Sequence, residues 1–97
     1  RMPDPIPQKF AGFMPDLAVE IASPSNTVAE LHSKALIYLR NGTHLVWILY
    51  PLRESAEVCR LDDEEQLTTE SVDPDGALSG EDVLPGFELD LRRLFKR

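Results

Sequence analysis

The side chains in this chain best suited to chemistry are two carboxylates and an amine. Asp16 and Glu20 lie in the run Pro15-Asp16-Leu17-Ala18-Val19-Glu20-Ile21-Ala22-Ser23-Pro24-Ser25, and Lys34 lies in the segment after it. Carboxylate oxygens are the ligands a hard divalent cation prefers. Leu17, Val19 and Ile21 alternate with Asp16, Ala18, Glu20 and Ala22, and a period of two predicts a strand with one strongly apolar face. Both acids then share the opposite face. At about 3.3 Å of rise per residue they stand roughly 13 Å apart, too far for one ion to be held by both on a straight strand. Glu20 is the better ligand candidate, and Asp16 is left to a turn or to the edge of a site. Two plainer readings compete with it. Glu30 and Lys34, four residues apart, can pair on an exposed helix face, and Glu20 can simply accept hydrogen bonds at a strand end.

Other reactive residue types are less suggestive. Cys59 is the only cysteine, so no intrachain disulfide can form, and its strand-like setting reads as a small buried hydrophobe. His32 and His44 stand twelve residues apart with no cysteine or acid at ligand spacing, so they read as surface or helix-end histidines. Asp62-Asp63-Glu64-Glu65 lacks the regular oxygen spacing of a calcium loop and reads as a solvated turn.

These residues need elements to position them. Thr27 with Glu30 three residues later fits a capping box, so a helix starts near there. Val28, Leu31, Ala35, Tyr38 and Leu39 form its apolar stripe, which Leu36 and Ile37 widen. Asn41-Gly42 tolerates a left-handed cap and ends the helix near Arg40. Leu45-Val46-Trp47-Ile48-Leu49-Tyr50 is a continuous apolar run that predicts a strand covered on both faces, with Trp47 in the core. Strand, helix, strand implies a crossover with the strands parallel, adjacent or one strand apart. From Ser55 the pattern changes to an antiparallel hairpin at the sheet edge, with Ala56, Val58 and Leu61 facing one way. Asp73-Pro74-Asp75-Gly76 and Gly80-Glu81-Asp82 are turns, and Leu91, Leu94 and Phe95 keep the spacing of a short closing helix.

The chain has 97 residues and a formal net charge of −7. That length suits one compact domain over 1–97, in which residues 1–14, with Pro3, Pro5, Pro7 and Gly12, read as an extended arm. Phe10, Phe13 and Met14 are apolar enough to seek a groove, which suggests a fragment or an excised domain. The charge argues against a surface that coats nucleic acid generally, because such binding draws its strength from neutralised phosphates. The basic cluster Arg92, Arg93, Lys96 and Arg97 reads first as cations complementing a last helical turn. No apolar run is long enough to cross a bilayer and no leader pattern is present, so a soluble, cytoplasmic protein is expected.

The order of these motifs resembles the Uma family of restriction endonucleases, within the PD-(D/E)XK phosphodiesterase superfamily. The resemblance rests on Pro15 to Ser25, Lys34 and Tyr38, Asn41-Gly42, Val46-Trp47-Ile48, Pro51 and Asp82-Val83-Leu84-Pro85-Gly86-Phe87. It implies an α/β fold: a restriction-endonuclease-like core of mixed β-sheet with a crossover helix and a short C-terminal helix. It also implies a divalent ion, Mg²⁺ or Mn²⁺, and DNA as substrate. Glu20 matches the acid of the (D/E)XK strand and Asp16 the aspartate just before it, both as metal ligands. The position two beyond Glu20 is Ala22, and Lys34 matches a lysine moved to the helix, where it would orient water or neutralise charge. Relatives carry upstream strands, a helix and a further metal-binding aspartate, which here precede Arg1 or are absent. Tyr50 stands where relatives commonly carry aspartate.

Two functions of different class follow. One is a metal-dependent endonuclease that hydrolyses DNA phosphodiesters, with Glu20, Lys34 and Asp16 in the site. The other is a catalytically silent, nuclease-like interaction module, including the case of an intertwined homodimer in which each arm completes the other copy's sheet.

Overall fold

The computed structural model describes residues 16–95. Strand β1 (Leu17–Ile21) leads through a Ser-Pro-Ser turn into α1 (Val28–Arg40), and the chain returns as β2 (Leu45–Tyr50). β1 and β2 are parallel neighbours, Glu20 opposite Ile48, so α1 is the crossover of a β-α-β unit. A hairpin of β3 (Ser55–Leu61) and β4 (Leu67–Val72) continues the sheet antiparallel, in the order β1-β2-β3-β4. The sheet is therefore mixed. Among the described residues β1 and β4 are its edges.

Local chemistry fixes the ends of the crossover. Thr27 Oγ1 accepts from the Glu30 N–H at 3.0 Å while Glu30 Oε1 accepts from the Thr27 N–H at 2.8 Å, the reciprocal bonds of a capping box. At the other end Asn41 keeps a negative φ, and Gly42 alone, at φ 115°, takes the conformation that a side chain would resist. The carbonyl of Asp16 then accepts from the N–H groups of His44 and Leu45, which registers the start of β1 against β2.

All six residues of β2 are buried, as a run without polar positions requires. Its alternate side chains feed two cores. Val46, Ile48 and Tyr50 meet Leu31, Ala35 and Leu39 of α1 together with Ala18 and Cys59. Leu45, Trp47 and Leu49 meet Ala56, Val58, Leu78 and Leu91 on the other face. That second face is closed by an element the sequence did not announce, a two-stranded sheet of β5 (Ala77–Ser79) and β6 (Glu88–Asp90), followed by α2 (Leu91–Leu94). The Phe87 ring stacks on Trp47 with centroids 6.1 Å apart.

Several expectations change here. The face of β1 that carries Leu17, Val19 and Ile21 is not the buried one: Val19 is 46% and Ile21 64% exposed, while Ala18 is buried. The cause is α1, which lies over the Ala18–Glu20 face, where small side chains allow close approach. Leu61 packs with Cys59 beneath α1 rather than with Ala56 and Val58, because its odd position shares Cys59's side of the strand. Val28 and Ile37 sit at the margin of α1 and remain exposed. The closing helix is one turn long, since Leu89 pairs with Leu78 in β6. Asp62 to Glu65 is a turn in which Asp62 Oδ1 accepts from the N–H groups of Glu64 and Gln66, both at 2.8 Å. The arm, including Phe10, Phe13 and Met14, and the basic residues Lys96 and Arg97 lie outside the described residues.

Candidate functional site

Glu20 is the fourth residue of β1, on the face that α1 covers, and Lys34 lies two turns into that helix. The crossover brings their heads together: Lys34 Nζ is 3.6 Å from Glu20 Oε1. Glu20 is mostly buried, its side chain 18% exposed, and Lys34 reaches over it from a 39% exposed position. Glu30, the competing partner for Lys34, is turned away to the cap by its bond to the Thr27 N–H. The lysine head is thus directed across to the strand and not along its own helix.

The contact is longer than a hydrogen bond. An ammonium held at this distance still interacts with the carboxylate, yet the oxygens are not saturated by it. Tyr38, one turn beyond Lys34 and on the same flank, completes the group. Burial first, then the nearby Glu20 charge and a hydrogen bond to it, raises the Tyr38 hydroxyl above its ordinary pKa, so it remains a donor beside the carboxylate. Periodicity placed Tyr38 in the apolar stripe and the resemblance set it beside Lys34 without a role; its i+4 spacing from Lys34 was the available signal.

Asp16 is elsewhere. It stands four residues earlier, just ahead of β1, with its side chain 73% exposed and 3.5 Å from His44 Nδ1. Along β1 the separation from Glu20 is about 13 Å at ordinary strand rise. Asp16 and His44 line a depression with Arg60 and Glu81, whose guanidinium and carboxylate pair through two bonds. The structure therefore brings Glu20 and Lys34 together and leaves Asp16 at the opposite end of the strand.

A second polar group was missed by sequence reasoning. Glu57 of β3 also faces α1, and its Oε1 accepts from the Tyr50 hydroxyl at 2.5 Å and lies 2.9 Å from His32 Nε2. His32 is thus a half-buried partner of an acid and not a simple surface histidine. The signal lay in period-two parity, which puts Glu57 on the Cys59 side of β3 and beneath the helix. Burial and the Glu57 bond push the Tyr50 hydroxyl strongly upward, so it donates at any ordinary pH.

A divalent ion would meet a sparse donor set here. Among the described residues no group of three or more histidine, cysteine or acidic side chains converges. What they offer is one carboxylate beside a cation. That set fits Mg²⁺, which keeps several waters and commonly takes only one or two carboxylates together with substrate phosphate oxygens. It does not make a closed, all-protein cage.

Comparison with known proteins agrees with this architecture. A family model described as "Uma2: Putative restriction endonuclease" matches residues 3–92. A crystal structure of a "putative nuclease belonging to DUF820" from Anabaena variabilis superposes with a TM-score of 0.69 at 26% identity, covering 84% of this chain. The chain accounts for 44% of that protein's length. No curated protein matches the chain. With a mixed sheet, a crossover helix that brings an acid and a lysine together, and a family model matched over nearly its whole length, the chain belongs to the Uma2 restriction-endonuclease family.

Proposed function

We propose that this chain contributes the core of a metal-dependent DNA endonuclease, with Glu20 and Lys34 at the reacting centre. The observation that carries the reading is the 3.6 Å approach of the Lys34 ammonium to the Glu20 carboxylate across the β1–α1 crossover, with Glu30 engaged elsewhere. The family match and the description of the Anabaena protein as a nuclease support it.

In this reading Glu20 is the carboxylate that holds a Mg²⁺ or Mn²⁺ ion. Once bound, such an ion makes a water more acidic and offsets the charge of a phosphoryl group under attack. Lys34 would orient the attacking water and counter charge that builds on the phosphate oxygens. The Tyr38 hydroxyl, kept protonated, helps fix the orientation of the Glu20 carboxylate. Asp16, out of reach of an ion on Glu20, would serve at the edge of the substrate path or as a ligand at a separate position. We take residues 1–97 as one domain working in solution in the cytoplasm. Among the described residues no helix is long and apolar enough to cross a membrane.

The rival reading, a nuclease-like module that binds a partner without chemistry, draws on the lack of a converged ligand cluster among the described residues. An intertwined homodimer is its structural variant, and a molecular mass that rises with concentration would reveal it. Plasmid nicking by the full-length protein with Mg²⁺ or Mn²⁺ separates the readings. The endonuclease assignment expects cleavage that Glu20→Ala and Lys34→Ala each reduce by at least about a hundredfold, an electrostatic contribution of ordinary size. Equal cleavage by all three proteins would reject these residues, and no cleavage with either ion would favour the silent module.

A further inference from the structure

A helix held on a sheet by apolar side chains alone is less sharply fixed in roll than one with directional bonds, because burial itself has no directional preference and only close packing resists the turn. Leu31, Ala35 and Leu39 seat α1 on Val46, Ile48 and Cys59 in this way. At a helix radius of roughly 5–6 Å, a roll of about 30° would keep most of that contact yet carry a flanking residue about 3 Å. For Lys34 that is the difference between meeting Glu20 and missing it. Directional bonds on the flanks would fix the roll more closely than this packing does.

The row structure of the sheet shows where such bonds lie. Glu20 pairs with Ile48 and Ile48 with Glu57, so the three lie in one line across β1, β2 and β3, all on the face beneath α1. Two strand spacings separate the outer pair by about 9.6 Å, close to the width of a helix. His32 and Lys34, two residues apart and so about 200° apart around the axis, leave from opposite flanks. Lys34 meets Glu20 on one side; His32 meets Glu57 on the other, at 2.9 Å, while Tyr50 of β2 anchors the same Glu57 oxygen at 2.5 Å. The Glu57 side of this grip has two short, directional bonds on one oxygen; on the Glu20 side the Lys34 contact is longer than a hydrogen bond and only the Tyr38 hydroxyl adds a directional partner.

We infer that Glu57, anchored by Tyr50 and bonded to His32, is a positioning residue that sets the roll of α1 and thereby holds the Lys34 ammonium against Glu20. The inference rests on the proposed roles of Glu20 and Lys34, and it concerns what places them. Because an ionised carboxylate only accepts, His32 carries its proton on Nε2. The bond survives replacement of the acid by an amide, whose oxygen accepts from the same two donors.

The test reads the placement of Lys34 directly, without metal or DNA. In the full-length protein the nuclear Overhauser effect between the Lys34 ε-methylene and the Glu20 γ-methylene protons is measured for the unaltered chain, Glu57→Ala, Glu57→Gln and Tyr50→Phe. The inference expects the cross-peak to fall at least threefold in Glu57→Ala, to return within about 20% in Glu57→Gln, and to weaken partially in Tyr50→Phe. The last variant keeps its ring packing and serves if Glu57→Ala does not fold. A cross-peak of unchanged intensity in Glu57→Ala, or in Tyr50→Phe where only that variant folds, overturns the inference even if thermal stability has dropped. Should Glu20→Ala and Lys34→Ala leave cleavage unaffected, the functional reading falls while this measurement still decides the positioning. Where cleavage is observed, Glu57→Ala is expected to lower kcat about tenfold with KM little changed, a modest loss for a misplacement of this size, and Glu57→Gln to recover it within twofold.

Discussion

Glu20 and Glu57 occupy the same row of the sheet, face the same helix and are buried to similar degrees, at 18% and 14% exposure, yet they are used in opposite ways. Glu57 sits on an inner strand and accepts two short bonds on one oxygen, from Tyr50 and from His32. Glu20 sits on a strand that is an edge among the described residues, and it faces an ammonium at a distance too long for a hydrogen bond. A carboxylate committed to short bonds stabilises the fold; one held in looser company beside a cation keeps the capacity to take a ligand. The neighbours decide which: Tyr50 and His32 stand within bonding distance of Glu57, while the Lys34 ammonium stands 3.6 Å from Glu20.

The contrast can be broken by changes of decreasing size. Leu31, fully buried between the two flanks, supports both, so Leu31→Ala should cost about 2–5 kcal/mol in urea unfolding and loosen both acids together. Glu57→Ala removes two bonds to a charged acceptor and strands the Tyr50 hydroxyl, for an expected loss of about 2–3 kcal/mol by the same assay. Thr27→Ala should cost about 1 kcal/mol by removing the cap. It also frees Glu30 to compete for Lys34, which would appear as a weaker Lys34–Glu20 contact. Glu20→Ala, which removes a long ion pair to a half-exposed lysine and the partner of the Tyr38 hydroxyl, should cost about 1 kcal/mol or less. A larger loss for Glu20→Ala than for Glu57→Ala would invert the assignment of the two acids.

Alkaline pH offers a subtler probe. The hydroxyls of Tyr38 and Tyr50 and the thiol of Cys59, pushed to about 12 mainly by burial, all hold their protons more tightly folded than unfolded. Their contribution is fully present below the unfolded values of about 9 to 10 and is lost as pH rises through the folded ones. Unfolding midpoints should therefore fall steadily above about pH 9. Tyr50→Phe should flatten that slope more than Tyr38→Phe, since Tyr50 is the more strongly perturbed of the two. Equal slopes would remove the distinction between the flanks.

Much of this arrangement was legible in the chain itself. Thr27 and Glu30 marked the start of α1, Gly42 its end, and the unbroken apolar run of β2 its burial on both faces, since each depends on neighbours a few residues away. The association of Lys34 with Glu20 was implied by the family resemblance, since spacing alone left Glu30 as an equal partner, and the structure puts the two heads 3.6 Å apart. What escaped depended on packing at long range. Alternation in β1 identifies two faces but not which one the helix will cover, so the apolar face was misassigned. The pairing of His32 with Glu57 links residues twenty-five apart, and only the register of β2 against β3 brings them together. The β5–β6 pair, three residues a strand, is too short for periodicity to reveal.

The central claim is that Glu20, and not its counterpart across the row, is the carboxylate available to a divalent ion. Titrating Mn²⁺ into the protein while following paramagnetic broadening of backbone amide signals tests it directly. The account predicts that signals around Glu20 and Lys34 fade first, that those around Glu57 persist well beyond them, and that Glu20→Ala abolishes the early loss. Early broadening centred on Glu57 or on the Asp62–Glu65 turn, or loss that is unchanged in Glu20→Ala, would contradict it.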